Sequence, residues 1–255
     1  MYIHEPTFDI DELFRMNLHI HSTFSRCAKR EMLLPDIVKT AQAAGLKLIA
    51  ITDHIGPSES ALLRRNLPEL KRQLSQTDTT ELRVLLGAEL SAYGIGKYSL
   101  KYGEGKGLEY RLYAHNHYHV WDWEQPEGHS PADYKEHCKK VLESVIKSKK
   151  ADCLAHPFSD AYIVHKFSEQ YGFTENCIIS LWTDNEIGDL LELAKRYEVA
   201  WELNASHIPA CPEFYRRFFN LGRETNACFN VGTDAHQLKN VDSNSFKTTV
   251  KTCLI

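Results

Sequence analysis

The stretch MNLHIH at residues 16–21 and the stretch LLPDIVKTAQAAGLKLIAITDH at residues 33–54 together decide the predicted fold. The second stretch begins with a helical pattern that has a proline in its first turn and a glycine directly after its end, which is typical of a complete helix. The apolar run at residues 46–52 is typical of a buried strand. Two strands joined by a helix predict parallel pairing with a right-handed crossover.

The same alternation of strand and helix patterns continues to the end of the chain. Further strands are predicted at residues 82–90, 110–120, 151–156, 199–205 and 227–233. Further helices are predicted at residues 58–76, 131–149, 184–197 and 212–225. Such strands form an open doubly wound sheet or a barrel, and in both the site lies at their carboxyl ends. Because nearly every strand is followed by a histidine or an acid, we predict an α/β fold with a distorted (β/α)7 barrel.

The composition favours a single globular domain. The chain has 255 residues, of which 43% are hydrophobic, and this is enough to bury a core. We expect one domain over residues 1–255, with an N-terminal extension at residues 1–15 and a loop or hairpin insertion at residues 91–109. The net charge of -4 weighs against tight non-specific binding of nucleic acid, although it does not exclude a local basic groove.

Cysteine usage and hydropathy predict a cytoplasmic protein without a membrane anchor. The seven cysteines have no CxxC spacing, and the first residues are acidic and polar rather than a basic and then apolar leader. No apolar run approaches the ~18–20 residues that a membrane-spanning helix needs.

Two pairs of polar residues with a spacing of two predict a metal site. His19 and His21 point to the same face of the first strand, as do Asp234 and His236 if the last strand continues that far. In a closed barrel the first and last strands are neighbours, so the two pairs lie close together. An HxH pair alone is more often part of a surface strand, but its combination with DxH and with Glu89 favours metal binding.

Three further strands end in candidate ligands. Glu89 closes an apolar strand, and its two carboxylate oxygens could bridge two ions. After the second strand, His54 is the predicted ligand, and Asp53 is either its hydrogen-bond partner or another ligand. His156 precedes Pro157, which we expect to keep the backbone extended and to end that strand.

The remaining candidates depend on less specific patterns. His115, His117 and His119 alternate along a predicted strand and would face one side, with His117 the first choice as ligand and the other two in reserve. The alternative is a strand that presents all three histidines to solvent. Three other side chains could line the same pocket. They are the imidazole of His207, the guanidinium of Arg26, which could bind a phosphate, and the thiolate of Cys27, which could bind zinc.

With these residues assembled, the chain resembles the PHP family, the polymerase and histidinol phosphatase metal-dependent hydrolases. The resemblance rests on the ordered segments Leu18-His19-Ile20-His21-Ser22, Ile51-Thr52-Asp53-His54, Gly87-Ala88-Glu89, Ala155-His156-Pro157 and Thr233-Asp234-Ala235-His236. It implies a distorted seven-stranded β/α barrel. It also implies two or three divalent ions, zinc, manganese or iron, at the carboxyl ends of the strands.

The resemblance also implies a division of the ligands among these ions. The first ion is implied to be held by His19, His21, Glu89 and Asp234. Glu89 would bridge to a second ion held by His117 and His156, and a third would be held by His54, His236 and a residue of the loop after the first strand. The chain departs from the family at Asn17, where Asp is usual, and at Arg26 and Cys27, where Asp or His is frequent.

The expected activity is hydrolysis of a small phosphomonoester, as in histidinol phosphatases. Metal ions would lower the pKa of a water and neutralise charge on the phosphoryl oxygens. Candidate catalytic residues are His54, Asp53, His207 and Arg26, with Arg223 as a second guanidinium. His54, His207 or His236 could protonate the leaving oxygen.

Three alternatives remain open from the sequence. The first is a nuclease acting on nucleic-acid ends or short oligonucleotides, with a basic rim supplied by residues 97–106. The second is a catalytically inactive barrel that binds a metal or a partner protein. The third is an amidohydrolase-like enzyme that cleaves C–N bonds, although no lysine stands out for such a site.

Overall fold

The computed structural model describes residues 2–101, 103–120 and 122–255, and these form an α/β barrel. The strands are β1 (Met16–Ile20), β2 (Leu48–Ile51), β3 (His54–Ile55), β4 (Arg83–Gly94), β5 (Lys97–Tyr98), β6 (Tyr110–Ala114), β7 (Cys153–Leu154), β8 (Ala200–Asn204) and β9 (Phe229–Gly232). The helices are α1 (Ile10–Leu13), α2 (Leu34–Ala43), α3 (Ser60–Ser75), α4 (Pro131–Lys147), α5 (Ala161–Tyr171), α6 (Asp184–Arg196), α7 (Pro212–Thr225) and α8 (Asn244–Leu254).

Seven of the strands form the wall of a nearly closed barrel in the order β1-β2-β4-β6-β7-β8-β9, and each adjacent pair in this order is parallel. The last strand returns to the first, where Ile20 and Ala235 form a parallel bridge just beyond β9. The predicted (β/α)7 barrel is therefore confirmed. Because all seven strands run in one direction, every residue that follows a strand is delivered to the same end of the barrel.

The outer helices begin and end where local chemistry satisfies their free backbone groups. Ser130 and Asp133 form a capping box at the start of α4, and Thr183 and Glu186 form another at the start of α6. The bounds of α7 agree with the helix predicted at residues 212–225, and it ends at Asn226, whose φ of 55° is left-handed. These caps set the lengths of the helices that cover the barrel.

Aromatic side chains fill the space between the barrel and α7. The Phe218 ring lies 5.7 Å from the Trp201 ring and 5.2 Å from the Phe229 ring, measured between centroids. Gly222 lies so close to the Phe229 ring that a Cβ at this position would collide with it. The close approach holds α7 against β8 and β9 and so positions the loops that enter and leave these strands.

Residues 2–15 pack against the end of the barrel at which the strands begin. Asp9 caps α1 by accepting hydrogen bonds from two backbone amides, and Leu13 and Phe14 are buried. The His4 Nε2 atom lies 3.0 Å from Asn230 Oδ1 on β9. The short α1 and the C-terminal α8 were not predicted, because neither has a strong sequence signal beyond its few apolar residues.

The structure corrects the bounds of two strands. β6 ends at Ala114 rather than at residue 120, because the chain turns there and the carbonyl of His115 accepts a hydrogen bond from Trp123 Nε1. β4 continues past residue 90 to Gly94 and pairs with β5 in an antiparallel hairpin. Glu89 therefore lies inside a long strand rather than at its end.

Among the described residues, no helix has both the length and the apolar character needed to cross a membrane.

Candidate metal centre

The first cluster of the site surrounds one oxygen of the buried Glu89 carboxylate. Glu89 Oε2 lies 3.5 Å from His19 Nε2 and 3.6 Å from His21 Nε2. Asp234 Oδ1 lies 3.3 Å from His19 Nε2 and 2.9 Å from His21 Nε2. The neighbouring strands β1 and β9 thus bring the HxH and DxH pairs together around one point.

The second cluster surrounds the other oxygen of the same carboxylate. Glu89 Oε1 lies 3.1 Å from His156 Nε2 and 3.5 Å from His117 Nε2. His54 lies between the clusters, with its Nδ1 atom 2.7 Å from Glu89 Oε2, and it also groups with Glu89 and His117. Each carboxylate oxygen therefore faces its own set of imidazole nitrogens.

A third group lies at the outer edge of the first cluster. The His21 ring stacks against the rings of His54 and His236, with centroid distances of 4.3 Å and 4.2 Å. The Cys27 Sγ atom lies 3.0 Å from His236 Nε2. Burial raises the pKa of the Cys27 thiol, but hydrogen bonds with His236 and His54 outweigh it and lower that pKa to about 6.

The donor atoms fit divalent metal ions. His19 Nε2 is a buried side-chain atom without a hydrogen-bond partner, which is a costly state for a protein to maintain without a ligand. Zinc–nitrogen and zinc–oxygen distances of about 2.0–2.2 Å in a tetrahedral site place two ligand atoms roughly 3.3–3.6 Å apart. The distances between His19, His21 and Glu89 agree with that spacing.

Several histidines use one ring nitrogen for a protein hydrogen bond, which leaves the other free to face the site. His19 donates from Nδ1 to Glu202 Oε1 at 2.7 Å, and His156 donates from Nδ1 to Asn116 Oδ1 at 3.0 Å. His236 Nδ1 lies 2.8 Å from the carbonyl oxygen of Asp234. Such contacts select the tautomer that a metal ligand needs, since they direct the lone pair of the other nitrogen inward.

Glu202 was not predicted as a site residue. Its carboxylate is buried on β8 and accepts hydrogen bonds from His19 Nδ1 and from the backbone amide of His156. Gly232 on β9 leaves space for it, because a Cβ there would collide with the Glu202 carboxylate. The available signal was an acid in the middle of the apolar strand Ala200–Asn204. Asn116, which holds His156, carried no comparable signal.

Asp53 supports the loop after β1 rather than the ring of His54. Its carboxylate accepts hydrogen bonds from the amide and hydroxyl of Ser22, at 2.8 Å and 2.6 Å, and from the Ser25 hydroxyl at 2.7 Å. Ser25 Oγ in turn lies 3.0 Å from His21 Nδ1. The chain of contacts makes Asp53 a positioning residue for His21, whereas it was predicted to be a partner of His54 or a further ligand.

The three alternating histidines do not share one face, because the chain has left β6 before it reaches them. His117 points to Glu89, whereas the buried His115 belongs to none of the groups of donor atoms around that carboxylate. His119 is exposed, and its ring lies 4.9 Å from the Tyr162 ring. The structure therefore brings His117, the first choice of the three, to the cluster.

Two residues of the site have left-handed backbones. The φ angle of His156 is 30°, and that of Asp234 is 53°. The expectation that Pro157 keeps His156 extended is therefore wrong. A left-handed φ is unfavourable for residues with a side chain, and such strain is common where a side chain must be aimed at a site.

The charges of the cluster are strongly coupled. Burial would raise the pKa of the Glu89 carboxyl, but His54, His117 and His19 hold that pKa well below its ordinary value. Burial would lower the pKa of His19, but the carboxylates of Glu202, Asp234 and Glu89 raise it well above the ordinary value. Burial and the neighbouring His54 instead lower the pKa of His21 to about 3.

A cleft of about 580 Å³ opens over the histidines, and Arg26, Cys27, Arg65 and His117 contribute to its walls. Arg26 is exposed on the loop after β1. The suggestion that Arg223 contacts substrate is wrong, since it is exposed in the last turn of α7, at the end of the barrel opposite the site.

We expect Glu202→Gln to weaken metal binding by roughly 10–100-fold, because a neutral amide holds the His19 and His156 contacts less strongly than a carboxylate. Titration of the metal-depleted variant with zinc, followed by elemental analysis, measures the change. Glu198→Gln, on the turn before β8, is the control and should match the wild type. Equal zinc affinity in Glu202→Gln and the control would contradict a positioning role for Glu202.

Comparison with known proteins agrees with this geometry. A family model described as the PHP domain matches residues 17–206. The fold is similar to that of histidinol phosphate phosphatase (HisK) from Lactococcus lactis subsp. lactis Il1403, solved in complex with zinc, L-histidinol and phosphate, with a TM-score of 0.60, 14% identity and 93% of each chain covered. It is also similar to the putative histidinol phosphatase HisK from Listeria monocytogenes, with a TM-score of 0.62, 14% identity, and 88% of this chain and 96% of that chain covered. Among curated proteins, none matches the chain in sequence.

Proposed function

The chain belongs to the PHP family, and from that premise we propose that it is a metal-dependent phosphatase that hydrolyses a small phosphomonoester, as histidinol phosphatases do. The observation that carries the proposal is the Glu89 carboxylate, whose two oxygens face two different sets of histidines. A carboxylate in this position can bridge two ions. A barrel that only bound a partner protein would have no need for such a set of donors.

The proposed ligands are the residues whose donor atoms face these clusters. They are His19, His21, His54, Glu89, His117, His156, Asp234 and His236. When bound, zinc, manganese or iron ions would supply hydroxide at neutral pH and neutralise charge on the phosphoryl oxygens. The protein's own contribution is to hold these ligands in one orientation, through Glu202, Asn116 and the Asp53–Ser25 pair.

Two arginines support recognition of a phosphoryl group. Arg26 and Arg65 both line the cleft over the histidines. A guanidinium presents several donors to phosphate oxygens and remains charged at neutral pH. These cations would orient the substrate so that its phosphoryl group faces the clustered histidines.

A second cavity, of about 440 Å³, favours a substrate whose alcohol part carries a positive charge. His207 lines this cavity, and its ring lies 5.6 Å from the ring of His156. The carboxylates of Asp160 and Glu175 also line it, and so does Tyr215, whose buried hydroxyl has no hydrogen-bond partner. L-histidinol, which the Lactococcus lactis enzyme binds, is an alcohol with such a charge. The proposed substrate is therefore the phosphate ester of an amino alcohol.

His207 is proposed to hydrogen-bond the leaving alcohol. Burial, followed by the nearby His156, lowers the pKa of His207 to about 4, so its ring is uncharged at neutral pH. Its buried Nδ1 atom has no partner within the protein. A neutral imidazole can position a hydroxyl oxygen, whereas a ring that is already protonated would be the better proton donor.

Replacement of Glu175 should affect binding of the charged alcohol rather than the chemical step. We expect Glu175→Gln to raise KM for L-histidinol phosphate roughly 3–10-fold with little change in kcat, because one exposed charge interaction contributes about 1 kcal/mol. Its KM for p-nitrophenyl phosphate, which has no positive charge, should be unchanged. Glu169→Gln, on α5 but outside the cavity, is the control. An equal rise in KM for both substrates would contradict this role.

The activity itself is tested with three substrates on one preparation. Purified protein of measured metal content, supplemented with zinc or manganese, is assayed with p-nitrophenyl phosphate, bis-p-nitrophenyl phosphate and L-histidinol phosphate. Hydrolysis of the monoesters is the expected result. Hydrolysis of the diester alone would favour a nuclease, and bound metal without any hydrolysis would overturn the phosphatase proposal.

The basic rim that a nuclease would use, at residues 97–106, is partly neutralised. Lys97 forms an ion pair with Glu124, and Arg64 forms one with Glu104. The monoester is therefore the better supported substrate. A cytoplasmic location is part of the same proposal, supported by seven cysteines that are all free.

A further inference from the structure

We propose that Cys27 binds a divalent ion as a thiolate, together with His236 and His54, at the outer edge of the cluster. The inference deepens the metal-binding part of the proposed function and rests on it. The site would take zinc, and binding would release the thiol proton to solvent while a sulfur–zinc bond forms.

The two central donor atoms already face one another. Cys27 Sγ lies 3.0 Å from His236 Nε2. His236 Nδ1 is engaged with the backbone carbonyl of Asp234 at 2.8 Å, so that contact assigns the ring proton to Nδ1 and leaves a lone pair on Nε2. A thiolate sulfur and an imidazole lone pair this close together can supply half of the ligands of a tetrahedral zinc site.

The loop that carries Cys27 is fixed to the segment that carries His236. The amide of Lys29 donates to the carbonyl of His236 at 2.9 Å, and the Lys29 ammonium donates to Gln237 Oε1 at 2.6 Å. The amide of Leu238 donates to Glu31 Oε1 at 3.0 Å. These hydrogen bonds hold the Cys27 sulfur beside the His236 imidazole. Little conformational entropy would therefore be lost when an ion binds.

A third ligand comes from β3. His54, His236 and His21 each offer a ring nitrogen within 4.8 Å of the others. The His54 ring centroid lies 6.0 Å from that of His236, and both rings stack against the His21 ring. Because this group opens into the cleft, a fourth position is accessible to water or to substrate.

The chemistry of the donors sets which metal this position prefers. Thiolate is a soft ligand that favours zinc, whereas manganese and magnesium prefer oxygen. The inner clusters contain only imidazole and carboxylate donors and can accept either kind of ion. The position at Cys27 should therefore keep zinc when manganese occupies the others.

The test replaces bound metal with cobalt(II) in the full-length protein. A thiolate bound to cobalt gives an intense charge-transfer band in the near ultraviolet, which imidazole and carboxylate ligands do not give. We expect this band in the wild type and in Cys253→Ser, whose cysteine lies on α8 away from the cleft. We expect its loss in Cys27→Ser, together with the loss of one equivalent of cobalt by elemental analysis.

The outcomes separate this inference from the proposed function. Cobalt bound by the wild type without a charge-transfer band, or a band that persists in Cys27→Ser, would overturn the thiolate site alone. The monoesterase assay is independent, so loss of the band in Cys27→Ser supports the thiolate whether or not phosphate is released. A wild type that binds no cobalt would overturn both the thiolate site and the metal-dependent phosphatase. Circular dichroism of Cys27→Ser checks that the exposed substitution leaves the fold unchanged.

Discussion

Glu89→Gln is expected to lower phosphomonoester turnover by at least roughly a thousandfold, or about 4 kcal/mol of activation free energy. The carboxylate touches both clusters, since its two oxygens face His19 and His21 on one side and His117 and His156 on the other. An amide has one acceptor oxygen and no charge, and it would place its NH2 group against one set of imidazole nitrogens. One substitution should therefore weaken the binding of two ions.

The measurement is kcat/KM with p-nitrophenyl phosphate alongside the metal content of the same sample. Glu81→Gln is the matched control, because that carboxylate is exposed and pairs with Lys47 far from the cleft. His19→Ala and Asp234→Ala should likewise abolish turnover, with circular dichroism spectra close to that of the wild type. Full activity in any of these three site variants would show that the reaction takes place elsewhere.

Removal of metal is expected to lower the melting temperature by about 10–20 °C at neutral pH. An ion present at one hundred times its dissociation constant stabilises the folded state by about 2.7 kcal/mol, so two ions contribute about 5 kcal/mol. For a chain of this size, 1 kcal/mol corresponds to roughly 2–4 °C. Thermal unfolding with and without a chelator measures the difference, and a shift below about 2 °C would contradict ions bound in these clusters.

The melting temperature should depend on pH in opposite ways with and without metal. In the metal-free protein, burial lowers the pKa values of His19 and His54, but the carboxylates of Glu202 and Glu89 outweigh it and raise both well above the ordinary value of 6.5. The folded state therefore keeps protons that the unfolded chain releases near pH 6.5. The stability contributed by these two histidines is fully present below that pH and is lost as pH rises through the raised pKa values.

Metal-bound histidines carry no proton on the ligating nitrogen. The loss of stability with rising pH should therefore vanish in the metal-loaded protein. We expect a rise from about pH 6.5 to about pH 8.5 to lower the melting temperature of the metal-free protein. The metal-loaded protein should be unchanged or more stable over the same interval, because fewer protons then compete with the ions. Parallel plots of melting temperature against pH for the metal-free and metal-loaded protein would show that His19 and His54 do not bind metal.

The sequence by itself determined the barrel and the kinds of donor that line it. Hydrophobic periodicity is a local property, so the strand at 16–20 and the helix at 212–225 could be predicted from their own residues. Parallel strands deliver the residues that follow them to one end of a barrel. This rule alone predicts that His21, His54 and Asp234 lie near one another.

Only the tertiary structure decided how each side chain is aimed. Glu202 contacts His19 across 183 residues of chain, and no local pattern encodes such a pairing. The turn after β6 separated His117 from His115, because a hydrogen bond from Trp123 ends the strand there. Asp53 was directed to Ser25 rather than to His54 by the fold of the loop after β1. Local sequence sets the element and the face of a residue, whereas packing between distant segments sets which atoms meet.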